Sequence, residues 1–260
     1  MASFQSLYSG SSGNSSLIRD GSTALLVDMG KNCKTTINAL YDTGVSAAAL
    51  SGIIITHEHS DHIAGLNVFL KHHPVPLFGP DKTLEYLYCN ALVPENTDLI
   101  PVEQDEEIVV GDISFSGFRT NHDSVDCFGY RFFFSNGGQA AIATDLGSIS
   151  DTVSDRLRDC DFVALESNYD EGMLKFGRYP LYLKQRIASS MGHLSNFDCA
   201  ETLAEIAKTD TRFMLMHLSA ENNAPELALT TCLGILENFD KTGCRVDVAP
   251  RSRISDLIYI

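Results

Sequence analysis

The sequence predicts an α/β (α+β) fold in which helices lie outside two β-sheets. The N-terminal fifth contains short apolar strand patterns at 4–7, 16–19 and 24–28, joined by turns rich in glycine and serine. A run of antiparallel strands follows in the middle, and the C-terminal part alternates between strand and helix patterns. No repeat of fixed period, low-complexity segment or linker interrupts the chain, so we expect one domain over residues 1–260.

The individual elements follow from hydrophobic periodicity and turn residues. After the first three strands we expect a helix at 33–42, a buried strand at 53–55, a helix at 63–70, a strand at 75–78 and a helix from Asp81. Antiparallel strands are predicted at 107–110, 113–118, 129–134 and 139–144, the last two joined by a hairpin at 135–138. Further strands are expected at 161–165, 212–216 and 245–248, with helices at 181–190, 196–209 and 225–238.

The composition is that of a soluble globular protein, with 44% hydrophobic and 20% charged residues. No apolar run approaches the length of a membrane span, and the first residues lack the basic start and apolar core of a signal peptide. We therefore expect a cytoplasmic protein.

The seven cysteines are scattered singly, without a Cys-Xaa-Xaa-Cys pair. Because their number is odd and their spacing irregular, the sequence supports neither a thiolate zinc site nor a disulfide framework.

The net charge is −15 at pH 7. Taken alone, this charge disfavours a nucleic-acid partner because its long-range field repels a polyanion. Several of the acids are candidate metal ligands, however, and bound divalent cations reverse the sign locally. The charge lowers the expectation of a nucleic-acid substrate without excluding one.

Three histidines and one aspartate follow the buried run at 53–55 within a few residues. His57 and His59 are two apart, so an extended segment presents them on one side, and Asp61 and His62 can turn toward a second point nearby. Imidazole nitrogen and carboxylate oxygen suit divalent transition metals. The pattern therefore predicts a site for two metal ions.

Three further candidate ligands close predicted strands. His122 follows the strand at 113–118, Asp145 the strand at 139–144, and His217 the strand at 212–216. A lone histidine at a strand end is usually structural. Together with the loop of His57, these three positions instead predict additional metal ligands.

The segment His57-Glu58-His59-Ser60-Asp61-His62 resembles the His-Xaa-His-Xaa-Asp-His signature of the metallo-β-lactamase superfamily. Nearly the whole chain resembles the WalJ/YycJ-like branch of that superfamily. The segments that carry this second resemblance are 9–15, 180–187, 192–196 and 217–228. The resemblance implies a four-layer αββα sandwich with its metals at one edge.

The resemblance also implies an assignment of the ligands. In the order of the superfamily's motifs, His57, His59 and His122 would hold the first metal, and Asp61, His62 and His217 the second, with Asp145 bridging. Asp61 is thereby expected to be catalytic as well as a ligand. Such a bridge keeps two metals roughly 3.5–4 Å apart, and water between them loses its proton near neutral pH to become a metal-bridging hydroxide nucleophile.

Three residues are expected to support the chemistry. In phosphodiesterases of the superfamily, including tRNase Z, a glutamate and a histidine act as a proton-donating pair, a role the resemblance carries to Glu166 and His193. Alternatively, His193 packs beside the N-cap of the next helix, expected at Ser195 or Asn196. Asp28 is expected to cap the helix at 33–42 and, by resemblance, to support the metal loop through hydrogen bonds.

The segment 173–187 carries four of the 19 lysine and arginine residues, three aromatic residues and no acid. Cationic groups can clamp phosphates, and aromatic faces can stack bases. We expect Lys184 and Arg186 to bind backbone phosphates, and the loop at 9–15, with Ser11 and Asn14, to approach the terminal phosphate. A solvated helix edge and a flexible hairpin loop remain the alternative interpretations.

The leading hypothesis is a dinuclear metal-dependent phosphodiesterase, and the resemblance implies a 5′→3′ exonuclease that acts on DNA rather than RNA. A hydrolase of a small substrate (a thioester, lactam or cyclic phosphodiester) would need neither the Glu166–His193 pair nor the basic segment. A non-catalytic, metal-stabilised regulatory module is the third hypothesis. Nitrogen-rich ligation favours zinc, while manganese and iron are compatible with the same ligands.

Overall fold

Two mixed sheets of seven strands each form the centre of the protein in a computed structural model that describes residues 1–260. The strands are β1 (Ser3–Tyr8), β2 (Ser15–Asp20), β3 (Thr23–Val27), β4 (Gly52–Ile54), β5 (Leu77–Pro80), β6 (Leu99–Val102), β7 (Glu107–Val110), β8 (Ile113–Arg119), β9 (Phe128–Phe134), β10 (Gln139–Ala143), β11 (Phe162–Glu166), β12 (Arg212–Met216), β13 (Arg245–Val248) and β14 (Ile258–Tyr259). The first sheet has the order β14-β1-β2-β3-β4-β5-β6 and the second β13-β12-β11-β10-β9-β8-β7.

Each of the two sheets has an antiparallel part followed by a parallel part. In the first, β1, β2 and β3 are antiparallel, whereas β3, β4, β5 and β6 run parallel. In the second, β7 to β10 are antiparallel and β10 to β13 run parallel. Carboxyl ends of parallel strands meet at one edge of a sheet, which is where open α/β sheets usually place ligands.

The sheets pack face to face through an aromatic core. Phe4 of β1 meets Phe162 of β11 with ring centroids 4.5 Å apart, and Phe78 of β5 meets Phe115 of β8 edge to face at 5.5 Å. Aromatic pairs at such distances add about 0.5–1.5 kcal/mol beyond the apolar area that they bury. The outer face of each sheet has an apolar cluster of its own beneath helices, which gives four αββα layers.

Nine α-helices cover the sheets. They are α1 (Cys33–Asp42), α2 (Ser60–Ile63), α3 (Leu66–His72), α4 (Asp81–Cys89), α5 (Asp151–Leu157), α6 (Glu171–Phe176), α7 (Leu181–Ile187), α8 (Asn196–Ile206) and α9 (Pro225–Asn238), with a 3₁₀ turn at Ala47–Ala49. None of them is long and apolar enough to cross a membrane. All seven cysteines are free thiols.

The predicted α/β (α+β) sandwich is confirmed, and the predicted bounds of α1, α9, β7, β12 and β13 are those of the structure. The helix predicted at 63–70 is wrong in one respect, because it is divided into α2 and α3. At Gly65 an added Cβ would lie 2.2 Å from the carbonyl oxygen of Lys31, so the chain packs too closely there for a side chain.

Besides the 3₁₀ turn, four elements were not predicted: β6, α5, α6 and β14. Strand β6 contains Pro101, and proline lowers a strand prediction because it cannot donate to the ladder. It is tolerated because β6 is the edge of its sheet. Strand β14 has two residues, too few for a periodic signal, and pairs with β1 at Ser3 and Tyr259.

Candidate metal centre

The metal loop leaves the end of β4 and enters α2 with His59 as its N-cap. His57 and His62 are fully buried, whereas His59 and Asp61 are partly exposed. The short helix α2 turns the second half of the loop back toward β4. As a result, the four side chains face the space between the parallel-strand edges of the two sheets.

His57, His59 and His122 form the first cluster, with candidate ligand atoms within 4.8 Å of one another. Nδ1 of His59 lies 3.3 Å from Nε2 of His122. Nε2 of His57 is buried without a hydrogen-bond partner. A buried, unpaired imidazole nitrogen is costly, so its place beside two other imidazoles is suited to a cation.

Asp61, His62 and His217 form the second cluster. Oδ2 of Asp61 lies 3.4 Å from Nε2 of His217 and 3.7 Å from Nε2 of His62. His217 reaches this point from the end of β12, in the other sheet, whereas Asp61 and His62 come from the loop after β4.

Asp145 lies between the two clusters and is fully buried. Its Oδ2 is 3.0 Å from Nε2 of His62, and its Oδ1 is 3.8 Å from Nε2 of His122. The short contact to His62 is not an aligned hydrogen bond, because Oδ2 has no hydrogen-bond partner. Ligand atoms at about 2.0–2.1 Å from a tetrahedral ion lie roughly 3.3–3.4 Å from one another, which is close to these separations. The His/Asp clusters are thus suited to bind divalent metal ions.

A hydrogen-bond partner at Nδ1 orients four of the five imidazoles. Nδ1 of His57 contacts Oγ1 of Thr56 at 3.0 Å, and Nδ1 of His62 contacts Oδ2 of Asp28 at 2.8 Å. Nδ1 of His122 contacts the carbonyl oxygen of Gly192 at 3.0 Å. Nδ1 of His217 contacts Oε1 of Glu166 at 2.7 Å. Each partner leaves Nε2 directed at the clusters. Second partners of this kind fix the ring and its tautomer in metal sites.

The backbone is strained where three of these side chains leave their strands. Asp28, Asp145 and His217 have φ angles of 61°, 58° and 54°, in the left-handed region. Such conformations cost on the order of 1–3 kcal/mol each and concentrate at functional sites. Here they turn the side chain at each strand end toward the centre between the sheets.

Asp28 does not cap α1, as the sequence suggested, because the N-cap is Asn32, whose side chain accepts from the amide of Thr35. Instead Asp28 binds the metal loop. Its Oδ1 accepts hydrogen bonds from the amide and hydroxyl of Thr56 at 2.9 and 3.1 Å, and its Oδ2 contacts His62. The carboxylate is therefore committed to positioning the loop.

Glu166 ends β11 and is fully buried beneath the second cluster. Its Oε2 accepts hydrogen bonds from the amides of Leu146 and Leu194 at 3.0 and 3.2 Å. Its Oε1 is 2.8 Å from Nδ1 of His193, whose ring is 23% exposed. Glu166 therefore holds the His193 ring at Nδ1, which leaves Nε2 directed outward. The N-cap of α8 is Ser195.

Burial and neighbouring charge set the protonation of this centre when no metal is bound. Burial alone raises the pKa of Glu166, but the charge of His193 and hydrogen bonds from two histidines lower it to about 2. Burial would lower the pKa of His217, yet the Asp145 charge and the hydrogen bonds of Asp61 and Glu166 raise it to about 10. Burial lowers the pKa of His57 well below its usual value.

A model described as a beta-lactamase superfamily domain matches residues 26–218. The chain is also 35% identical over 238 residues to exodeoxyribonuclease YycJ of Bacillus anthracis, covering 90% of this chain and 89% of that protein. The chain belongs to the metallo-β-lactamase superfamily.

Two further comparisons agree with this assignment. Exodeoxyribonuclease WalJ of Streptococcus pneumoniae serotype 2 is 35% identical over 237 residues, 90% of this chain and 88% of that protein. The crystal structure of the metallo-beta-lactamase fold protein YhfI from Bacillus subtilis superposes with a TM-score of 0.75 at 18% identity, over 98% of this chain and 99% of that one. The superfamily fold and the His/Asp clusters are those of a metal-dependent hydrolase.

The structure separates the four residues that the sequence suggested for substrate binding. Ser11 and Arg186 line a pocket of about 170 Å³ together with His193. Asn14 is buried, and its amide lies 3.1 Å from Nε2 of His62 while its Oδ1 accepts from the amide of Gly10. The loop is thereby fixed against the metal centre, and Asn14 has little surface left for a substrate.

The two basic residues of α7 also differ in their positions and in their hydrogen-bond partners. Nζ of Lys184 donates to the carbonyl oxygen of Lys175 at 2.9 Å, and Lys184 does not line the pocket. Nε of Arg186 donates to Oδ2 of Asp123 at 2.5 Å. The other oxygen of Asp123 lies 3.5 Å from Nε2 of His122.

Sequence reasoning missed Asp123, Thr56 and Asn168, whose amide donates to the carbonyl of His217 at 2.8 Å. Asp123 and Thr56 are adjacent in sequence to His122 and His57, and Asn168 is two positions after Glu166. Adjacency was the only signal available, and it does not show which neighbour turns inward.

Proposed function

We propose that the protein is a dinuclear metal-dependent phosphodiesterase that degrades DNA from an end in the 5′→3′ direction. One arrangement carries the proposal. Two His/Asp clusters lie next to Asp145 and beside the Glu166–His193 pair. The chain is 35% identical over 90% of its length to a protein named as an exodeoxyribonuclease. A pair of metals with an adjacent proton donor suits hydrolysis of a phosphodiester better than that of a thioester, because a leaving alkoxide needs a proton more than a thiolate does.

Seven side chains would hold the metals. His57, His59 and His122 form one set, Asp61, His62 and His217 the other. Asp145, which lies 3.0 Å from His62 and 3.8 Å from His122, would bridge them. Two bound cations supply Lewis acidity toward the phosphate oxygens and lower the pKa of water. Zinc or manganese fits this nitrogen-rich donor set, and iron is compatible with it.

His193 is the proton donor in this proposal. Although burial disfavours the charged ring, the charge and hydrogen bond of Glu166 raise the pKa of His193. The ring therefore keeps its proton to a higher pH than an ordinary imidazole and can deliver it from Nε2 to the O3′ atom that leaves when the phosphodiester is cleaved. Glu166 does not reach the substrate, since it is fully buried.

Arg186 and Ser11 line the pocket that contains His193, and in this proposal they bind phosphate there. Arg186 is 59% exposed, so its guanidinium can exchange Asp123 for a phosphate oxygen without a change in the backbone.

A small-substrate hydrolase is the second candidate, because one observation favours it. Both basic groups of α7 are already paired, Arg186 with Asp123 and Lys184 with the carbonyl of Lys175. If the substrate is small, the double variant Lys184→Ala/Arg186→Ala keeps its activity. If the substrate is a nucleic acid, the variant loses activity and its dependence on salt becomes weaker.

The decisive experiment follows degradation of a linear DNA labelled at one 5′ end, with 5′-phosphate and 5′-hydroxyl versions and an RNA of the same sequence. Metal-stripped protein is resupplied with Mn²⁺ or Zn²⁺. We expect release of nucleotides from the 5′ end, abolished in Asp145→Ala and retained in Asp42→Ala, a carboxylate variant at the exposed end of α1. Absence of cleavage of either polymer, with turnover of a small ester, would overturn the nuclease proposal.

A further inference from the structure

The helices α6 and α7 form an arm, residues 171–192, that projects beside the metal centre. Helix α7 has no buried residue, and α6 has one, Leu174. Despite this exposure the arm is rich in large apolar side chains. Phe176 is 82% exposed, Tyr182 73% and Leu181 70%.

Contacts with the rest of the protein hold the arm in place. A helix of seven residues without a buried face is not stable alone in water. The Lys184 side chain ties α7 to the end of α6, and Arg186 ties it to Asp123. At Gly192 an added Cβ would lie 2.2 Å from the carbonyl oxygen of Arg186, so the end of α7 is pressed against the residue before His193.

The charge of the arm is opposite to that of the protein. Residues 172–197 contain no aspartate or glutamate, although the chain as a whole has a net charge of −15. Lys175 and Arg178 are exposed beside Phe176 in sequence, and Lys184 and Arg186 follow Tyr182. An aromatic surface with a local positive charge is complementary to a polyanion that also offers flat aromatic groups.

The arm is continuous with the pocket at the metal centre. Its inner side contributes Tyr179, Leu183, Arg186 and Ile187 to the pocket that contains His193. This pocket, of about 170 Å³, is smaller than the ~300–1,000 Å³ typical of drug-sized ligand sites. It is therefore too small to enclose a base pair, so a strand end that enters it must be unpaired.

We propose that Phe176 and Tyr182 form a stacking platform for unpaired nucleobases of the DNA strand that enters the metal centre. This inference rests on the proposed nuclease function and adds the element that holds the strand. Successive bases would stack on the two rings while Lys175, Arg178 and Lys184 lie along the phosphates. Stacking of this kind tolerates any base sequence, because every base has an aromatic face.

The chain contains no tryptophan, so a single substitution gives a specific fluorescent reporter. Metal-loaded Tyr182→Trp and Phe176→Trp variants would be titrated with a hydrolysis-resistant phosphorothioate oligodeoxynucleotide, single-stranded or as a blunt duplex. We expect strong quenching of indole fluorescence by the single strand and weaker quenching by the duplex. Tyr41→Trp is the matched control, since Tyr41 is 81% exposed on α1. No quenching, or equal quenching in the control, would overturn the platform.

Kinetics separate stacking from general hydrophobicity. In Tyr182→Leu and Phe176→Leu the apolar surface remains but the aromatic ring is lost. The variant Tyr182→Phe keeps an aromatic ring. We expect kcat/KM for single-stranded DNA to fall at least about fivefold in each leucine variant and to stay near wild type in Tyr182→Phe. Hydrolysis of bis(p-nitrophenyl) phosphate, which offers no strand to hold, should not change.

The outcomes distinguish this inference from the function on which it rests. Wild-type protein that hydrolyses bis(p-nitrophenyl) phosphate but no DNA contradicts the nuclease proposal. Wild-type protein that degrades DNA no better than its leucine variants contradicts only the platform. A dimer that dissociates in Tyr182→Leu, or binding to anionic vesicles that this variant loses, with unchanged DNA kinetics would reassign the surface to self-association or to a membrane.

Discussion

Oε1 of Glu166 lies 2.7 Å from Nδ1 of His217, so one buried carboxylate oxygen contacts both the second metal cluster and the proposed proton donor His193. The Glu166→Gln variant should therefore lose two properties together. Without the negative charge of Glu166, the imidazole of His217 is a poorer metal ligand, and the pKa of His193 is lower. Carboxylate partners of metal-bound histidines typically contribute about 10–100-fold to metal affinity or activity.

The test is a metal titration combined with kinetics. We expect Glu166→Gln to bind the more weakly held metal at least about tenfold less tightly and to lose kcat on DNA even when saturated with metal. Glu205→Gln, an exposed position on α8, is the control and should behave as wild type. Unchanged metal affinity in Glu166→Gln would show that the contact between Glu166 and His217 does not contribute to metal binding.

His193→Ala should lower activity in a manner that depends on the leaving group. For DNA we expect a loss of about 10²–10⁴ in kcat, since the departing O3′ is a strong base that requires a proton. For bis(p-nitrophenyl) phosphate the loss should be far smaller, because p-nitrophenolate leaves without protonation. Metal content should remain that of wild type. Equal losses on both substrates would assign His193 to metal binding or to structure.

Asp28→Asn should weaken the second cluster without unfolding the protein. Asparagine keeps the shape of the side chain and tolerates the left-handed φ of 61° at this position. It cannot, however, supply the charge that pairs with His62 at 2.8 Å. We expect a loss of about 10–100-fold in affinity for one metal and little change in the other. Equal weakening of both metals would mean that Asp28 acts on the whole loop through Thr56.

The sequence was most informative where chemistry is concentrated in a short segment. The loop from His57 to His62 and the polar residues at strand ends were predicted as candidate ligands from their residue types and positions, and their division between two metals came from the resemblance. The structure brings these residues to one point from both sheets. The extent of the domain, by contrast, stays a prediction from composition and the absence of a linker.

Contacts between distant segments were not predictable from the sequence. Glu166 and His217 are 51 positions apart, and their contact depends on the parallel pairing of β11 with β12. Asn14 was expected to face a substrate, but the packing of its loop against Asp61 and His62 turns the side chain inward. Whether a polar side chain faces in or out depends on its backbone torsion and its neighbours, which local patterns do not specify.

Metal binding near neutral pH should release protons. Burial would lower the pKa of His62 and His217, but in the metal-free protein the surrounding carboxylates raise that of His62 well above its usual value and that of His217 to about 10. At pH 7 both rings are therefore charged before metal binds, whereas a coordinating imidazole must be neutral. We expect roughly one to two protons released per pair of metals, with metal affinity rising as the pH rises toward 10. Isothermal titration calorimetry in two buffers of different ionisation enthalpy measures this number directly. In Asp145→Asn, which removes a negative charge 3.0 Å from His62 and 3.4 Å from His217, the release should decrease, and an unchanged release would contradict the role of Asp145 in holding these protons.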